Sequence, residues 1–144
     1  MPEQKFAAVR LAPFRTTVDE DRVRRFAGAV GADDPVFHDP AAARAAGHPG
    51  VPLPPTLLFG IELEHRGVDA LAGIGIPVDR VLHAEQRFTY HSPAHAGEEL
   101  AFDTVVSDRY TRRGLEFVVQ DTEITRDGTV VAELRQVLMA QVRA

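Results

Sequence analysis

One eleven-residue segment restricts the possible folds of this chain more than any other feature. The segment from Thr56 to Arg66 reads TLLFGIELEHR, is nearly unbroken apolar in its first six residues and is followed by Gly67. Glycine directly after a helix commonly adopts the left-handed conformation that ends it. A helix that is apolar on almost every side must be surrounded by protein. The segment therefore predicts a central helix around which the rest of the chain folds.

Two shorter helices and a stiff loop are expected before this helix. The loop is residues 47–55, GHPGVPLPP, in which four prolines and two glycines interrupt any regular structure. Thr17 and Glu20 have the spacing of a capping box, so a first helix should begin there and end at Gly31. Residues 39–47, DPAAARAAG, place an acceptor, a proline and a final glycine in the order typical of a second, short helix.

The hydrophobic period changes to two from Val81 onward, which is the period of a strand. Four alternating stretches are predicted as strands, at about Val81 to His91, Leu100 to Tyr110, Leu115 to Thr125 and Val130 to Val142. Residues 127–128, Asp-Gly, carry the signal of a tight hairpin between the last two. Helices followed by an antiparallel meander indicate an α+β fold in which the strands curl around the central helix.

Length, charge and cysteine content limit the possible partners. A chain of 144 residues has the usual size of one domain with one core, so residues 1–144 are predicted to form a single domain. A net charge of −5, from 21 acidic and 16 basic residues, argues against nucleic-acid binding. The chain has no cysteine and shows neither the apolar core of a signal peptide nor a run of the roughly 18 residues needed to cross a bilayer. We expect a cytoplasmic protein with no membrane partner.

Three stretches carry the pattern of a known family. They are FAGAVGADDPVFHD at 26–39, AARAAGHPGVPLPPT at 42–56 and LHAEQRFTYH at 82–91. Together they resemble the MaoC-like dehydratase N-terminal family, which includes the mycobacterial (3R)-hydroxyacyl-ACP dehydratase subunits. The resemblance implies a hot-dog fold, with an antiparallel sheet wrapped around a central helix and two such domains paired as a homodimer or heterodimer. It also implies a tunnel for an acyl chain carried as a thioester on coenzyme A or on the phosphopantetheine of acyl carrier protein, with no other cofactor.

The family motif Gly-Asp-x-Asn-Pro-x-His supplies a catalytic aspartate and histidine in active members. Hydration of a 2-enoyl thioester needs one group for the α-proton and another to position or activate water. Aligned on Pro35, the aspartate position is Ala32 and the histidine position is Phe37, and neither side chain can transfer a proton. Asp33 and His38 keep the same five-residue separation one residue later, so they are the catalytic candidates. Both residues equally suit a turn between two helices.

Further residues are candidates for substrate binding. Prolines before Thr56 leave the first amides of the central helix free for a thioester oxygen, although an ordinary helix start has the same pattern. His48 faces the presumed site or the solvent, and Phe59 belongs to the core or to the tunnel wall. His83 and His91 are expected to share one face of their strand, either buried or lining the tunnel. The substrate-binding candidates are His48, Val51, Pro54, Pro55, Thr56, Phe59 and His83.

Metal binding is not expected, because the six histidines show no tight pair with a carboxylate between them. A basic cluster of Arg109, Arg112 and Arg113 beside Tyr110 suits either coenzyme A phosphates or an acidic carrier protein, or is a solvated hairpin tip.

Three functional hypotheses follow. The first is an (R)-specific 3-hydroxyacyl-thioester dehydratase or 2-enoyl-thioester hydratase, a hydro-lyase of fatty acid or polyketide metabolism, in which this chain is the substrate-binding subunit beside a catalytic partner. The second is a self-sufficient homodimer that uses Asp33 and His38, or His48. The third is an acyl-thioester binding or assembly module without catalysis.

Overall fold

The computed structural model describes residues 6–67, 69–76 and 78–141. The described strands are β1 (Val9–Arg10), β2 (Phe14–Thr17), β3 (Val81–Tyr90), β4 (Glu99–Arg112), β5 (Leu115–Arg126) and β6 (Thr129–Gln141). The α-helices are α1 (Glu20–Val30), α2 (Pro40–Ala45), α3 (Leu57–Arg66) and α4 (Asp69–Ala72), and 3₁₀ turns cover Pro35–Phe37 and Val78–Arg80. Within these ranges no helix has both the length and the apolar character that crossing a bilayer demands.

All six strands belong to one antiparallel sheet with the order β1-β4-β5-β6-β3, in which β2 also pairs with β4. β1 and β2 follow one another along the outer edge of β4, with Val9 opposite Val106 and Phe14 opposite Phe102. The four long strands agree with the sequence prediction to within two residues, apart from Val142, which lies outside the described residues. β1 and β2 were not predicted, because two and four residues are too few to show a period.

Two-residue turns connect the three longest strands. Arg113 and Gly114 have φ angles of 52° and 75°, and Asp127 and Gly128 have φ angles of 50° and 77°. Positive φ at both central residues is the requirement of the type I′ turn, whose twist matches that of the strands. The hairpin predicted from the Asp-Gly pair is therefore confirmed.

The start of α1 corrects one prediction. The N-cap is Asp19, whose carboxylate accepts a hydrogen bond from the Arg22 amide at 2.7 Å. Thr17 is instead the last residue of β2 and lies opposite Glu99 of β4, so the capping box predicted at Thr17 is wrong. The other predicted boundaries are confirmed, since Gly31 has a φ of 73° after α1 and Asp39 caps α2 through the amide of Ala41 at 2.9 Å.

Helix α3 lies on the inner face of the sheet, but only one side of the helix is covered. Leu63 is 55% exposed, and Glu64 and His65 beside it are exposed as well. The prediction that protein surrounds this helix is therefore correct for one side only. The buried residues of α3 are Leu57, Leu58, Ile61 and Glu62.

The buried apolar residues form two groups on the inner face. The first core cluster surrounds the first half of α3 and includes Phe102, Ile124 and Leu134. The second core cluster lies nearer the turn that joins β4 to β5 and includes Val106 and Val118.

Candidate functional site

The proline-rich loop before α3 is held against the segment that connects β3 to β4. The Leu53 amide donates to the Ala94 carbonyl at 2.8 Å, and the Ala96 amide donates to the Val51 carbonyl at 2.8 Å. Val51 and Leu53 are buried, and Pro52 forms an isolated bridge with His95. The loop is thus irregular, as predicted, and its position is set by backbone pairing across the chain.

A largely apolar cavity lies at the start of α3. It has a volume of about 360 Å³ and is lined by residues of the loop, the first turn of α3 and the end of β3: Leu53, Pro55, Leu58, Tyr90, His91, Ser92, Pro93 and Ala94. Partial burial raises the pKa of the Tyr90 phenol, so this hydroxyl stays a hydrogen-bond donor at neutral pH. Thr56 occupies the N-cap position of α3 without a side-chain cap bond. Of the predicted substrate-binding residues, Pro55 lines this cavity and Pro54 and Thr56 are its direct neighbours in the chain.

His48 belongs to a chain of polar side chains behind the loop. Its Nδ1 lies 3.1 Å from Nε2 of His95, and the Nδ1 of His95 lies 2.8 Å from Oε1 of Glu98. Arg126 donates to Oε2 of Glu98 at 2.6 Å and to the Pro93 carbonyl at 2.9 Å. Burial alone would raise the pKa of the Glu98 carboxyl, but the hydrogen bonds from Arg126 and His95 outweigh it and hold that pKa below its usual value.

The segment that carries the catalytic candidates is a 3₁₀ turn between α1 and α2. Asp33 is exposed and His38 is partly buried, and Nε2 of His38 lies 2.8 Å from the carbonyl oxygen of Ala32. No hydrogen bond joins Asp33 to His38 in the part of the chain that the structure describes. Phe37 packs against the first core cluster. Catalytic roles for Asp33 and His38 stay predictions.

His83 and His91 do not share a face, in contrast to the prediction. The register of β3 against β6 shifts between His83 and Glu85, and such a bulge reverses the alternation of the residues that follow. His83 therefore packs against Phe59 of α3, with ring centroids 5.0 Å apart, whereas His91 reaches Oε2 of Glu133 at 2.8 Å on the other face. Phe59 and His83, both predicted substrate-binding residues, are thus brought together.

A buried ion pair on α3 was not predicted from the sequence. Oε1 of Glu62 accepts hydrogen bonds from Arg66 at 3.2 Å, from Thr104 at 2.5 Å and from Thr122 at 2.7 Å. The side chains of Glu62 and Arg66 are only 8% and 10% exposed. A usable signal was present, because Glu62 and Arg66 are four residues apart on an otherwise apolar helix and threonines replace apolar residues at the inward positions 104 and 122.

The opposite face of the sheet carries ion pairs, and one arginine of the basic cluster makes internal contacts. A depression of about 560 Å³ on that face is lined by charged residues such as Arg135 and Asp121, which pair with each other at 2.7 Å. Of the predicted arginine cluster, Arg109 pairs with Glu116 and donates to the Ile74 carbonyl at 2.6 Å. The depression does not resemble an acyl-binding cavity, which must be mostly apolar. Binding of coenzyme A phosphates or of a carrier protein by the arginine cluster stays a prediction.

The class of protein follows from the sheet, the enclosed side of α3 and the cavity at its first turn. The FAS1-like dehydratase domain region matches residues 5–134. The chain therefore belongs to this family. Its sheet and central helix are those of the hot-dog fold, as the resemblance implied.

Individual relatives agree with this assignment. A UPF0336 protein of Saccharopolyspora erythraea is 35% identical over 128 residues, which are 86% of this chain and 81% of that protein. The HadBC complex of Mycobacterium tuberculosis, a 3R-hydroxyacyl-ACP dehydratase, contains a chain that is 27% identical with a TM-score of 0.82, covering 96% of this chain and 98% of that chain. The MaoC-like dehydratase of Rhodospirillum rubrum, at 18% identity and a TM-score of 0.74, covers 96% and 94% and is similar in fold.

Proposed function

We propose that this chain is a subunit of an (R)-specific 3-hydroxyacyl-thioester dehydratase or 2-enoyl-thioester hydratase. In this proposal it binds the acyl thioester, while a second hot-dog subunit contributes the catalytic aspartate and histidine. The observation that carries the proposal is the pair Ala32 and Phe37, which occupy the two positions of the family's catalytic residues. Because Phe37 packs against the first core cluster, that position supports the fold and has no group to transfer a proton.

The start of α3 suits the thioester. The Leu57 amide already donates to the Pro54 carbonyl at 3.0 Å, so the thioester oxygen would use the following amides of the first turn. Amides at this end of a helix favour a developing negative charge, and Pro54 and Pro55 remove competing donors just before it. The mainly apolar cavity of about 360 Å³ beside Leu58 has the size and lining of a small-molecule site. The substrate would be carried on coenzyme A or phosphopantetheine, and no further cofactor is invoked.

Two surfaces suit a second hot-dog subunit. β3 is at the end of the strand order and, among the described residues, pairs only with β6. A ten-residue open edge invites pairing with another strand, and Leu82 on it is 62% exposed. The uncovered side of α3, with Leu63 at 55% exposure, adds apolar surface. A paired sheet in a homodimer or heterodimer would cover such surfaces.

The decisive experiment measures hydration of crotonyl-CoA by the purified chain alone and by the chain mixed with a neighbouring gene product that carries the full Gly-Asp-x-Asn-Pro-x-His motif. We expect no activity alone and activity in the mixture, unchanged by His38→Ala or Asp33→Asn in this chain. Activity of the chain alone that is abolished by His38→Ala would overturn the proposal in favour of the self-sufficient homodimer.

A thermal unfolding measurement separates the third hypothesis. A thioester that binds only the folded chain raises the melting temperature, by mass action equivalent to about 2.7 kcal/mol at 100 times its Kd. We expect such a rise with crotonyl-CoA. Inactivity in both settings together with no rise would leave an assembly module that does not bind thioesters.

A further inference from the structure

A polar row crosses the inner face of the sheet between the two core clusters. Gln120 of β5 lies opposite Gln136 of β6, which lies opposite Gln86 of β3. Residues paired across antiparallel strands point to the same face, so three amide side chains lie next to one another. At the β3 end of the row, Oε1 of Gln86 is 3.1 Å from Nε2 of His83. Glutamines are unusual in this position, because the rows on both sides are apolar or hold the buried threonines.

Helix α3 places its ion pair directly over this row. A narrow cleft of about 40 Å³ is lined by Glu62 and Arg66 of α3 together with Gln120 and Gln136 of the sheet, and its apolar lining includes Phe59 and Leu138. Gln120 is only 5% exposed. The cleft thus combines a charged pair, two amides and apolar walls beneath the second half of α3.

One nitrogen of Arg66, whose side chain lines this cleft, lacks a partner among the described residues. Arg66 donates from Nε to Glu62 at 3.2 Å and from Nη1 to the Ala12 carbonyl at 2.9 Å. Its Nη2 is buried and makes no hydrogen bond to any residue that the structure describes. Buried polar groups in native proteins are nearly always hydrogen-bonded, and an unmade bond of a charged donor is especially costly. An acceptor from outside the chain would complete this site.

Resting on the proposed function, we infer that this cleft receives a neutral oxygen, a keto or hydroxyl group, carried on the acyl chain of the thioester. The oxygen would accept from Nη2 of Arg66 and from the amides of Gln120 or Gln136. A plain alkyl chain would leave these donors unpaired. A carboxylate is disfavoured because Glu62 already balances the charge of Arg66, so a further anion would be buried without a counter-charge.

The size and position of the cleft define where that oxygen lies. A volume of about 40 Å³ accommodates roughly three water-sized groups, since one needs about 10 to 15 Å³. At about 1.5 Å per helical residue, Glu62 lies roughly 7 Å and Arg66 roughly 13 Å along the axis from Leu57. An extended chain spans about 1.2 Å per bond. With the thioester carbon level with Leu57, the oxygen therefore belongs roughly six to eleven bonds from that carbon.

The test compares three coenzyme A thioesters of equal chain length by isothermal titration of this chain, alone and with the catalytic partner of the proposed function. They are octanoyl-CoA, 7-oxooctanoyl-CoA and the ω-carboxylate suberyl-CoA. We expect 7-oxooctanoyl-CoA to bind about tenfold more tightly than octanoyl-CoA, the value of one satisfied hydrogen bond to a charged donor. Equal binding of these two would mean that water alone occupies the cleft and would overturn the inference, as would tightest binding of suberyl-CoA.

Variants assign the preference to the cleft. Arg66→Met should remove the preference for 7-oxooctanoyl-CoA while octanoyl-CoA binds at least as tightly. Gln120→Leu, which keeps the charged donor, should reduce the preference by about threefold, the value of one neutral hydrogen bond, and it carries the test should Arg66→Met unfold in a melting experiment. Gln141→Leu, at an exposed glutamine of the same strand as Gln136, is the control and should keep the preference. Retention in both cleft variants would refute the inference. If octanoyl-CoA fails to bind the unaltered chain in every setting, the proposed function itself fails.

Discussion

The buried Glu62–Arg66 pair permits a quantitative prediction of stability. Replacing Glu62 by Gln keeps an acceptor for Thr104 and Thr122 but leaves the guanidinium, 10% exposed, without a counter-charge. Breaking one partner of a buried pair costs about 3 to 5 kcal/mol, because the remaining charge stays desolvated. For a chain of this length, that cost lowers the melting temperature by about 12 to 20 °C.

The assay is urea unfolding of a double-mutant cycle. The single variants are Glu62→Gln and Arg66→Met, and the cycle closes with the double variant. The double variant should be less destabilised than the sum of the singles by about 2 kcal/mol, since removing both charges also removes the unpaired one. Glu99→Gln is the matched control, because Glu99 and its partner Arg15 are 61% and 72% exposed and an exposed pair contributes less than about 1 kcal/mol.

Two outcomes would refute this reasoning. If Glu62→Gln costs no more than Glu99→Gln, the buried carboxylate does not neutralise Arg66. If the effects of the two single variants simply add, the two side chains are not coupled through charge, and the charge argument against a carboxylate ligand in the cleft loses its basis.

Three further predictions concern caps, glycines and pH. Asp19→Ala should destabilise the chain by about 1 kcal/mol in urea unfolding, whereas Thr17→Ala, at an exposed strand position, should cost less than half as much; equal costs would contradict the assigned N-cap. Gly28→Ala inside α1, where an added Cβ meets nothing within 4 Å, should raise the melting temperature by a few degrees, while Gly31→Ala should lower it because φ is 73°; the same sign for both would refute this. The pKa of Glu98 is lowered in the folded chain, so its carboxylate stabilises the fold above the unfolded pKa of about 4.3, and this stability is lost as pH falls through the folded pKa. In Glu98→Gln the free energy of unfolding should therefore fall less steeply with pH below about pH 5. The same pH dependence in Glu98→Gln and in the unaltered chain would contradict this.

Local sequence rules predicted most of the secondary structure. The hydrophobic period of two predicted the four long strands. Asp39 caps α2, Gly31 ends α1 and the Asp127–Gly128 pair forms a turn, each as predicted from neighbouring residues. Hydrogen bonds and φ preferences extend over only a few residues, so they can be read from neighbours in the chain. The prolines before α3 likewise predicted a loop, although its pairing with Ala94 was not visible locally.

Only part of the candidate site could be predicted from the sequence. Phe59 and His83 were both selected and do meet. The family motif drew attention to Asp33 and His38, whose roles stay predictions. Glu62 and Arg66 were overlooked because a helix with an apolar pattern was interpreted as purely a core element.

What the sequence by itself determined is the set of elements, their order and their turns, because these depend on interactions between residues close in the chain. Only the tertiary structure decided that Thr17 joins β2 and so leaves the cap to Asp19, and that a bulge sends His83 and His91 to opposite faces. It also decided that three strands align their glutamines beneath Arg66. Each of these outcomes depends on the register between distant segments, and one residue of shift reverses every side chain that follows.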